Sequence, residues 1–344
     1  MPPLSRRLVL ARAGAVLLPA SVPSARLQRG ILDAQQARIA LVALDAATSL
    51  GAVAAVLDGW TPAIRRLHAR HRAAALTITV GVGTSLLRAS SASMPAGLRP
   101  LPAFRGDALD PARSHGAVCL KVCADDPVVL ERVLRTLLAR SHGALRARWR
   151  QDGFLDREAP NATPRNLLGF KDGSGNPARA EARSLVSAAG AGVPGWMRGG
   201  TFLVVRRIVT DLQAWSGLPV ARQESIIGRH KQSGAPFGGV REHDHVNVAL
   251  LRSDAHVVRA RSGYSGAGNP APLLRRGYSF RDADGSGLLF LAFTRDPHGA
   301  YVPIQQRLAT SDALAPFVEH RASAVFAIPP VSRPGWTFTR ALQP

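Results

Sequence analysis

The amino-acid sequence predicts an α+β protein made of two packed α+β units, of which the first has a ferredoxin-like order of elements. The first half of the chain shows the order strand–helix–strand–strand–helix, which is typical of such a unit, and the second half shows a similar order. The length of 344 residues is sufficient for two domains. Hydrophobic residues make up 46% of the chain and charged residues 19%, so a folded globular protein is expected rather than a disordered one.

The first unit is expected over residues 29–185. Its predicted elements are a strand that runs into a long amphipathic helix (37–70), a strand (75–83), a loop rich in Pro and small residues (90–111) and a further strand (117–124). A helix follows to about residue 143, because Asp126 and Pro127 are a favoured pair for the N-cap and the first helical position.

The second unit is expected over residues 186–344. Its predicted elements are a strand (200–211), a helical segment (212–229), a second strand (288–294) and a final helix (302–320). The two halves share this order of elements without visible sequence similarity to each other, so the prediction of a second unit depends on the pattern alone.

Residues 1–28 are expected to form a separate N-terminal signal or tail. Arg6 and Arg7 precede the short apolar run 13–18, an arrangement typical of a twin-arginine export signal. An arginine-rich disordered tail is the alternative interpretation. We expect export through the twin-arginine pathway, with the protein located in the periplasm or outside the cell.

The chain is strongly basic, with 44 Lys and Arg against 23 Asp and Glu, a formal net charge of +21. The arginines are scattered through every segment and form no stripe, so we expect no nucleic-acid partner. No apolar run is long enough to span a bilayer, so we expect no stable membrane insertion.

Cysteine and histidine spacing gives little sign of a metal-binding cluster. The two cysteines, Cys119 and Cys123, are too few for a four-cysteine zinc or iron–sulfur site, and their spacing on a strand is too wide for a disulfide. We therefore expect buried free thiols. His243 and His245 have a metal-like spacing, but they lack a second cluster and are expected in an exposed loop.

Three segments carry residues suited to catalysis or to cofactor binding. The Gly-rich turn at 165–177 presents one carboxylate, Asp172, although Asp-Gly is also a common hairpin turn. His256 lies among small and apolar residues, where a core histidine and a ligand look alike. Arg275 and Arg276 lie beside bulky apolar residues. None of the three segments indicates a function by itself.

Taken together, these segments resemble the dye-decolourising (DyP-type) haem peroxidases, in particular the twin-arginine-exported, deferrochelatase-like branch. The resemblance covers nearly everything after residue 29. The blocks that carry it include LTITVGVG (76–83), VCADDP (122–127), RNLLGFKDGSGNP (165–177), GGTFLVVRRI (199–208), AHVVR (255–259), LLRRGYSF (273–280) and GLLFLAF (287–293). It implies an α+β fold of two ferredoxin-like units, each an antiparallel sheet with flanking helices, that together form a DyP-type peroxidase fold. Haem b would be bound in the C-terminal unit.

The resemblance implies the two groups that would act on peroxide. The GxxDG motif of the family falls on Gly169, Asp172 and Gly173, which makes Asp172 the distal acid and base. Arg275 takes the role of the distal arginine, with Arg276 as the alternative if the match is displaced by one residue.

The resemblance also implies the residues that would hold the cofactor. His256 would be the axial ligand of the haem iron, Arg229 would meet a haem propionate, and Phe290 would form a pocket wall. A carboxylate near the end of the last helix would accept a hydrogen bond from His256; Glu319 is the first candidate and Asp312 the second.

The implied function is a haem peroxidase that reduces hydrogen peroxide and oxidises organic, dye-like or phenolic reductants by one-electron steps through an oxo-ferryl intermediate. The alternative is a haem-handling, deferrochelatase-like protein with partners in an iron-uptake system. Both functions need the same pocket, so the residues do not distinguish between them. The sequence also leaves open whether the protein is a homo-oligomer.

Overall fold

The computed structural model describes residues 26–190, 192–261, 273–331 and 337–342. The paired arginines and the apolar run of the predicted export signal lie outside these residues. Within the described ranges, no helix is long and apolar enough to cross a membrane.

The described residues form the following strands and α-helices. The strands are β1 (Arg38–Ala46), β2 (Thr77–Val82), β3 (Val118–Ala124), β4 (Leu145–Phe154), β5 (Thr201–Thr210), β6 (Leu274–Arg275), β7 (Tyr278–Asp282), β8 (Gly285–Thr294) and β9 (Val318–Ile328). The α-helices are α1 (Leu50–Arg70), α2 (Thr84–Arg88), α3 (Pro127–Ala139), α4 (Arg179–Val186), α5 (Leu212–Ser216), α6 (Val220–Ile227), α7 (His256–Arg261), α8 (Pro297–Ser311) and α9 (Phe338–Leu342).

The N-terminal sheet has the predicted ferredoxin-like arrangement. Its antiparallel strands lie in the order β2-β3-β1-β4, and α1 and α3 are the helical connections. Helix α3 begins as expected, because the Asp126 carboxylate accepts from the amides of Val128 and Val129 and Pro127 is the first helical residue.

The C-terminal sheet repeats this order as β7-β8-β5-β9, again antiparallel. The two sheets join at the pairs Val82–Ala327 and Phe154–Ser279, so the strands form a closed ring. The α+β fold of two ferredoxin-like units is confirmed.

The ring explains why several strands are apolar on both faces. In β1, Ile39 and Leu41 contribute to the core inside the ring, whereas Ala40 and Val42 belong to the core beneath the helices. A strand buried on both faces has an uninterrupted apolar sequence instead of an alternating one. Cys119 and Cys123 point into the ring as buried free thiols, as predicted.

The prediction of a helix over 302–320 is wrong in its second half. Helix α8 ends at Ser311, and β9 begins at Val318 and pairs with β5 over its whole length. The backbone of Asp312 is already extended, and Pro316 lacks the N–H that a helix interior needs. Pairing with β5, a contact across more than a hundred residues, therefore overrides the local helical pattern.

Candidate active site

A cavity of about 520 Å³, within the usual size range of ligand pockets, lies beside the C-terminal sheet and is lined by residues of both halves of the chain. Helices α7 and α8 line it together with β5, β8 and the loop that carries Asp172. Ile208 and Leu288 face each other across β5 and β8 and, with Phe290, form an apolar wall. Phe290 thus lies in the pocket wall, where the resemblance implies it.

Asp172 lies on a tight loop that borders this cavity. The side-chain oxygen of Asn166 accepts from two backbone amides of the loop, and the amide of Asp172 donates to the carbonyl of Pro164 at 2.8 Å. Gly169 and Gly173 have φ of +86° and +132°. Only glycine adopts these angles without strain, which accounts for both glycines of the motif.

Glu242 anchors the same loop on both sides of Asp172. Its carboxylate accepts from Lys171 Nζ at 2.9 Å and from Ser174 Oγ at 2.8 Å. Burial would raise the pKa of Glu242, but hydrogen bonds from Thr163, Lys171 and Ser174 outweigh burial and hold its pKa below the ordinary value. Sequence reasoning missed Glu242, because no local signal links it to a loop about 70 residues away.

Arg275 lies next to Asp172, with 3.8 Å between its Nη1 and Asp172 Oδ1. Successive side chains of a strand point to opposite faces, so Arg276 points away from the cavity and donates to the carbonyls of Ile31 and Asp33. Of the two arginines left open by the sequence, the structure brings Arg275 to the cavity.

His256 begins α7 and lines the cavity. Its Nδ1 lies 2.7 Å from Asp312 Oδ2, and the Asp312 side chain is only 7% exposed. Burial lowers the pKa of His256, but the Asp312 carboxylate more than compensates and raises it above the ordinary value. With Nδ1 bonded to Asp312, Nε2 is the nitrogen available to a ligand.

The assignment of Glu319 as the partner of His256 is wrong; the partner is Asp312. Glu319 lies on β9 and pairs with Arg321 at 2.6 Å on the protein surface. The carboxylate is expected near the end of the last helix, and the sequence predicts that this helix reaches residue 320, which points to Glu319. Helix α8 instead ends directly before Asp312.

Arg229 follows the left-handed Gly228 that ends α6 and is buried beside the cavity. Its Nη1 donates to the carbonyls of Gly234 and Glu242 at 2.7 and 2.8 Å. Burial lowers the pKa of Arg229, and the nearby guanidinium groups of Arg261 and Arg275 lower it further. Arg261, which the sequence analysis did not single out, thus belongs to a cationic cluster that favours an anionic ligand.

The donor set and the lining of the cavity fit haem. His256 offers one ring nitrogen, the apolar wall suits a porphyrin face, and the arginine cluster of Arg229, Arg261 and Arg275 can meet carboxylate groups at its edge. Asp172 and Arg275 line the same cavity as His256. His243 and His245 do not lie at this cavity, and the described residues contain no cluster of three metal-binding side chains.

Family models match most of the chain. The model of the Dyp-type peroxidase N-terminal domain matches residues 28–155, and that of the C-terminal domain matches residues 163–333.

Individual relatives agree with the family models. A dye-decolorizing peroxidase of Thermobifida fusca is 38% identical over 88% of this chain and 80% of its own length. A deferrochelatase of Escherichia coli is 33% identical over 74% of this chain and 66% of its own length. The crystal structure of a DyP-type peroxidase from Cellulomonas bogoriensis matches this structure with a TM-score of 0.84 and a sequence identity of 35%. The match covers 94% of this chain and 98% of the Cellulomonas chain. This chain therefore belongs to the Dyp-type peroxidase family and is a haem-dependent peroxidase.

Proposed function

We propose that this protein binds haem b, reduces hydrogen peroxide and oxidises organic, dye-like or phenolic reductants by one-electron steps. One observation carries the proposal. The imidazole–carboxylate pair His256–Asp312 and the carboxylate–guanidinium pair Asp172–Arg275 line the same cavity. When bound, the haem iron supplies the redox chemistry that amino-acid side chains lack.

His256 is the residue that would hold the iron. The bond to Asp312 fixes the ring orientation and leaves the lone pair of Nε2 directed to the ligand. A carboxylate partner also increases the electron donation of the imidazole, which lowers the reduction potential of a bound iron.

Asp172 and Arg275 are the groups that would act on peroxide. The Asp172 carboxylate could take a proton from one peroxide oxygen and deliver it to the other, so that this second oxygen can leave as water. The two electrons that cleavage of the O–O bond needs belong to the redox chemistry that bound haem would supply. The Arg275 guanidinium, next to that carboxylate, supplies a fixed positive charge where negative charge develops as the O–O bond breaks. Gly173 keeps the Asp172 loop in a conformation that a side chain would strain.

The remaining site residues position the cofactor. Arg229 and Arg261 provide positive charge for its propionates, and Phe290 with Leu288 excludes water from one face.

Two variants of the purified protein test the proposal. A Soret absorbance band is expected in the parent and lost in His256→Ala. Asp172→Ala is expected to keep the band but to lower peroxide-dependent dye oxidation by about 10²- to 10⁴-fold, the range for a general acid–base group. Asp152→Ala, on the exposed face of β4, is the control. A parent without a Soret band, or full activity in Asp172→Ala, would contradict the proposal.

A second function, release of iron from haem, is supported by the similarity to deferrochelatases. It predicts that incubation with haem yields iron-free porphyrin, visible by its fluorescence, and iron captured by a chelator. Partners in an iron-uptake system belong to this alternative.

Export through the twin-arginine pathway stays a prediction from Arg6 and Arg7. Its test is the location of the tagged chain in cells with and without that pathway.

A further inference from the structure

The two groups proposed to act on peroxide lie on segments that are distant in sequence. Asp172 belongs to a loop of the first half, whereas Arg275 belongs to the two-residue strand β6 of the second half. Their side chains meet only as an ion pair at 3.8 Å, which is longer than a hydrogen bond. A further contact is therefore needed to fix the position of the Asp172 loop relative to β6.

The side chain of Asn176 makes that connection. Its Nδ2 donates to the carbonyl of Arg275 at 3.1 Å, and the amide of Arg275 donates to its Oδ1 at 2.9 Å. Asn176 lies four residues after Asp172, and its own amide donates to the carbonyl of Gly173 at 2.8 Å, which closes the turn next to Asp172.

The geometry of β6 explains why this bond is needed. Arg276 donates its amide to Leu291 of β8, so in the antiparallel pattern the N–H and C=O of Arg275 point away from β8. No described strand pairs with that edge of Arg275. The Asn176 carboxamide satisfies both groups as a neighbouring strand would, because it carries one donor and one acceptor in the same plane.

Asn176 and Glu242 act on the loop at different points. Glu242 anchors Lys171 and Ser174 to the segment that follows Arg229, and Asn176 anchors the end of the turn to β6. Only the Asn176 contact joins the backbone of Arg275.

We propose that Asn176 is a positioning residue that sets the spacing between the Asp172 carboxylate and the Arg275 guanidinium. The purpose of that spacing depends on the proposed function, whereas the bond itself does not.

The experiment compares Asn176→Ala and Asn176→Asp with the parent protein. Asp keeps the acceptor for the Arg275 amide but replaces the donor with an oxygen that faces the Arg275 carbonyl. Asn247→Asp is the matched control, since the exposed Asn247 only accepts, from the amide of Ala249, and loses no bond.

Two readouts are measured on the full chain as purified. Hydrogen exchange of the Arg275 amide is expected to accelerate about tenfold in Asn176→Ala, since one hydrogen bond is removed. Peroxide-dependent oxidation is expected to fall by about 10²-fold, the cost of a shift of about 1 Å between acting groups, while the Soret band is retained. The control is expected to match the parent in both readouts.

A double variant separates positioning from general destabilisation. If Asn176 acts through Asp172, Asn176→Ala lowers the rate no further in an Asp172→Ala background. The proposal would be overturned if Asn176→Ala and Asp172→Ala lowered the oxidation rate independently and additively. It would also be overturned if Asn176→Ala left both the hydrogen exchange of the Arg275 amide and the activity unchanged. If Asn176→Ala does not fold, the same comparison is made with Asn176→Asp. A parent that lacks peroxidase activity would overturn the proposed function, and the exchange readout would still decide whether Asn176 holds β6.

Discussion

At the scale of single residues, the site depends on which carboxylate meets which nitrogen. Asp312 and Glu319 lie seven residues apart in sequence, yet only Asp312 contacts His256, whereas Glu319 forms a surface ion pair. The contact with the buried Asp312 carboxylate fixes the orientation of the His256 ring. The exposed contact has little effect on any buried group.

We expect Asp312→Asn to weaken haem binding by about 10- to 100-fold, since an amide oxygen is a poorer acceptor for the His256 N–H than a carboxylate. Glu319→Gln is the matched control, because it makes the same chemical change at the carboxylate that the sequence suggested. Haem titration followed by Soret absorbance measures both. Equal loss in the two variants would contradict the assignment of Asp312.

Arg275 and Arg276 are adjacent but serve different purposes. We expect Arg275→Leu to lower peroxidase activity by about 10²-fold, because a fixed charge next to the reacting oxygens is lost, with little change in stability. Arg276→Leu should instead lower the free energy of unfolding by about 1 to 3 kcal/mol, since the carbonyls of Ile31 and Asp33 lose a donor. Activity assays and urea unfolding on both variants test this, and the reverse pattern would assign the cavity role to Arg276.

At the scale of elements, β9 carries a buried polar network to the cavity. Arg206 of β5 is fully buried, pairs with Asp107 and donates to His320 Nδ1 at 3.1 Å. Burial, reinforced by the charge of Arg206, lowers the pKa of His320 to about 3. Gln305 also faces this imidazole. The network therefore requires a neutral His320.

This network predicts acid sensitivity. The pKa of His320 is lower in the folded chain than its ordinary value of 6.5, so the unfolded chain binds more protons between these values. The contribution of the neutral His320 to the free energy of unfolding is then fully present above about pH 6.5 and is lost as the pH decreases toward 3. The expected loss between pH 7 and 4.5 is about 2 kcal/mol. His320→Asn, which keeps an acceptor near Arg206, should reduce this loss, whereas the exposed His243→Asn should not. Urea unfolding at the two pH values provides the measurement.

At the scale of the whole molecule, the ring of strands is closed by narrow joints. The sheets meet through the single pairs Val82–Ala327 and Phe154–Ser279. Gln28 reinforces the first joint, since its Nε2 donates to the carbonyls of Val80 and Pro329 and its Oε1 accepts from the amide of Val80.

We expect Gln28→Ala to lower the free energy of unfolding by about 1 to 3 kcal/mol, because partly buried backbone groups of β2 lose their partner. Gln306→Ala on α8 is the control for the loss of a glutamine side chain. Urea unfolding monitored by intrinsic tryptophan fluorescence measures both variants, and an unchanged midpoint in Gln28→Ala would mean that this joint adds no stability.

The residues themselves indicate β1, α1, β2, β3 and α3 in order and the start of α3 at Asp126, but they do not indicate β4. The resemblance to the peroxidase family implies Asp172, His256, Arg229 and Phe290 as residues of one site. The elements follow from local periodicity and capping chemistry within short segments, whereas the site residues follow from the match of several segments to the family. Tertiary contacts make β9 a strand, bring Asp312 rather than Glu319 to His256, and place Asn176 and Glu242 as anchors of the Asp172 loop. The physical reason is that hydrogen-bond partners are chosen by where the closed ring brings distant segments together, and that geometry leaves no local trace in composition or spacing.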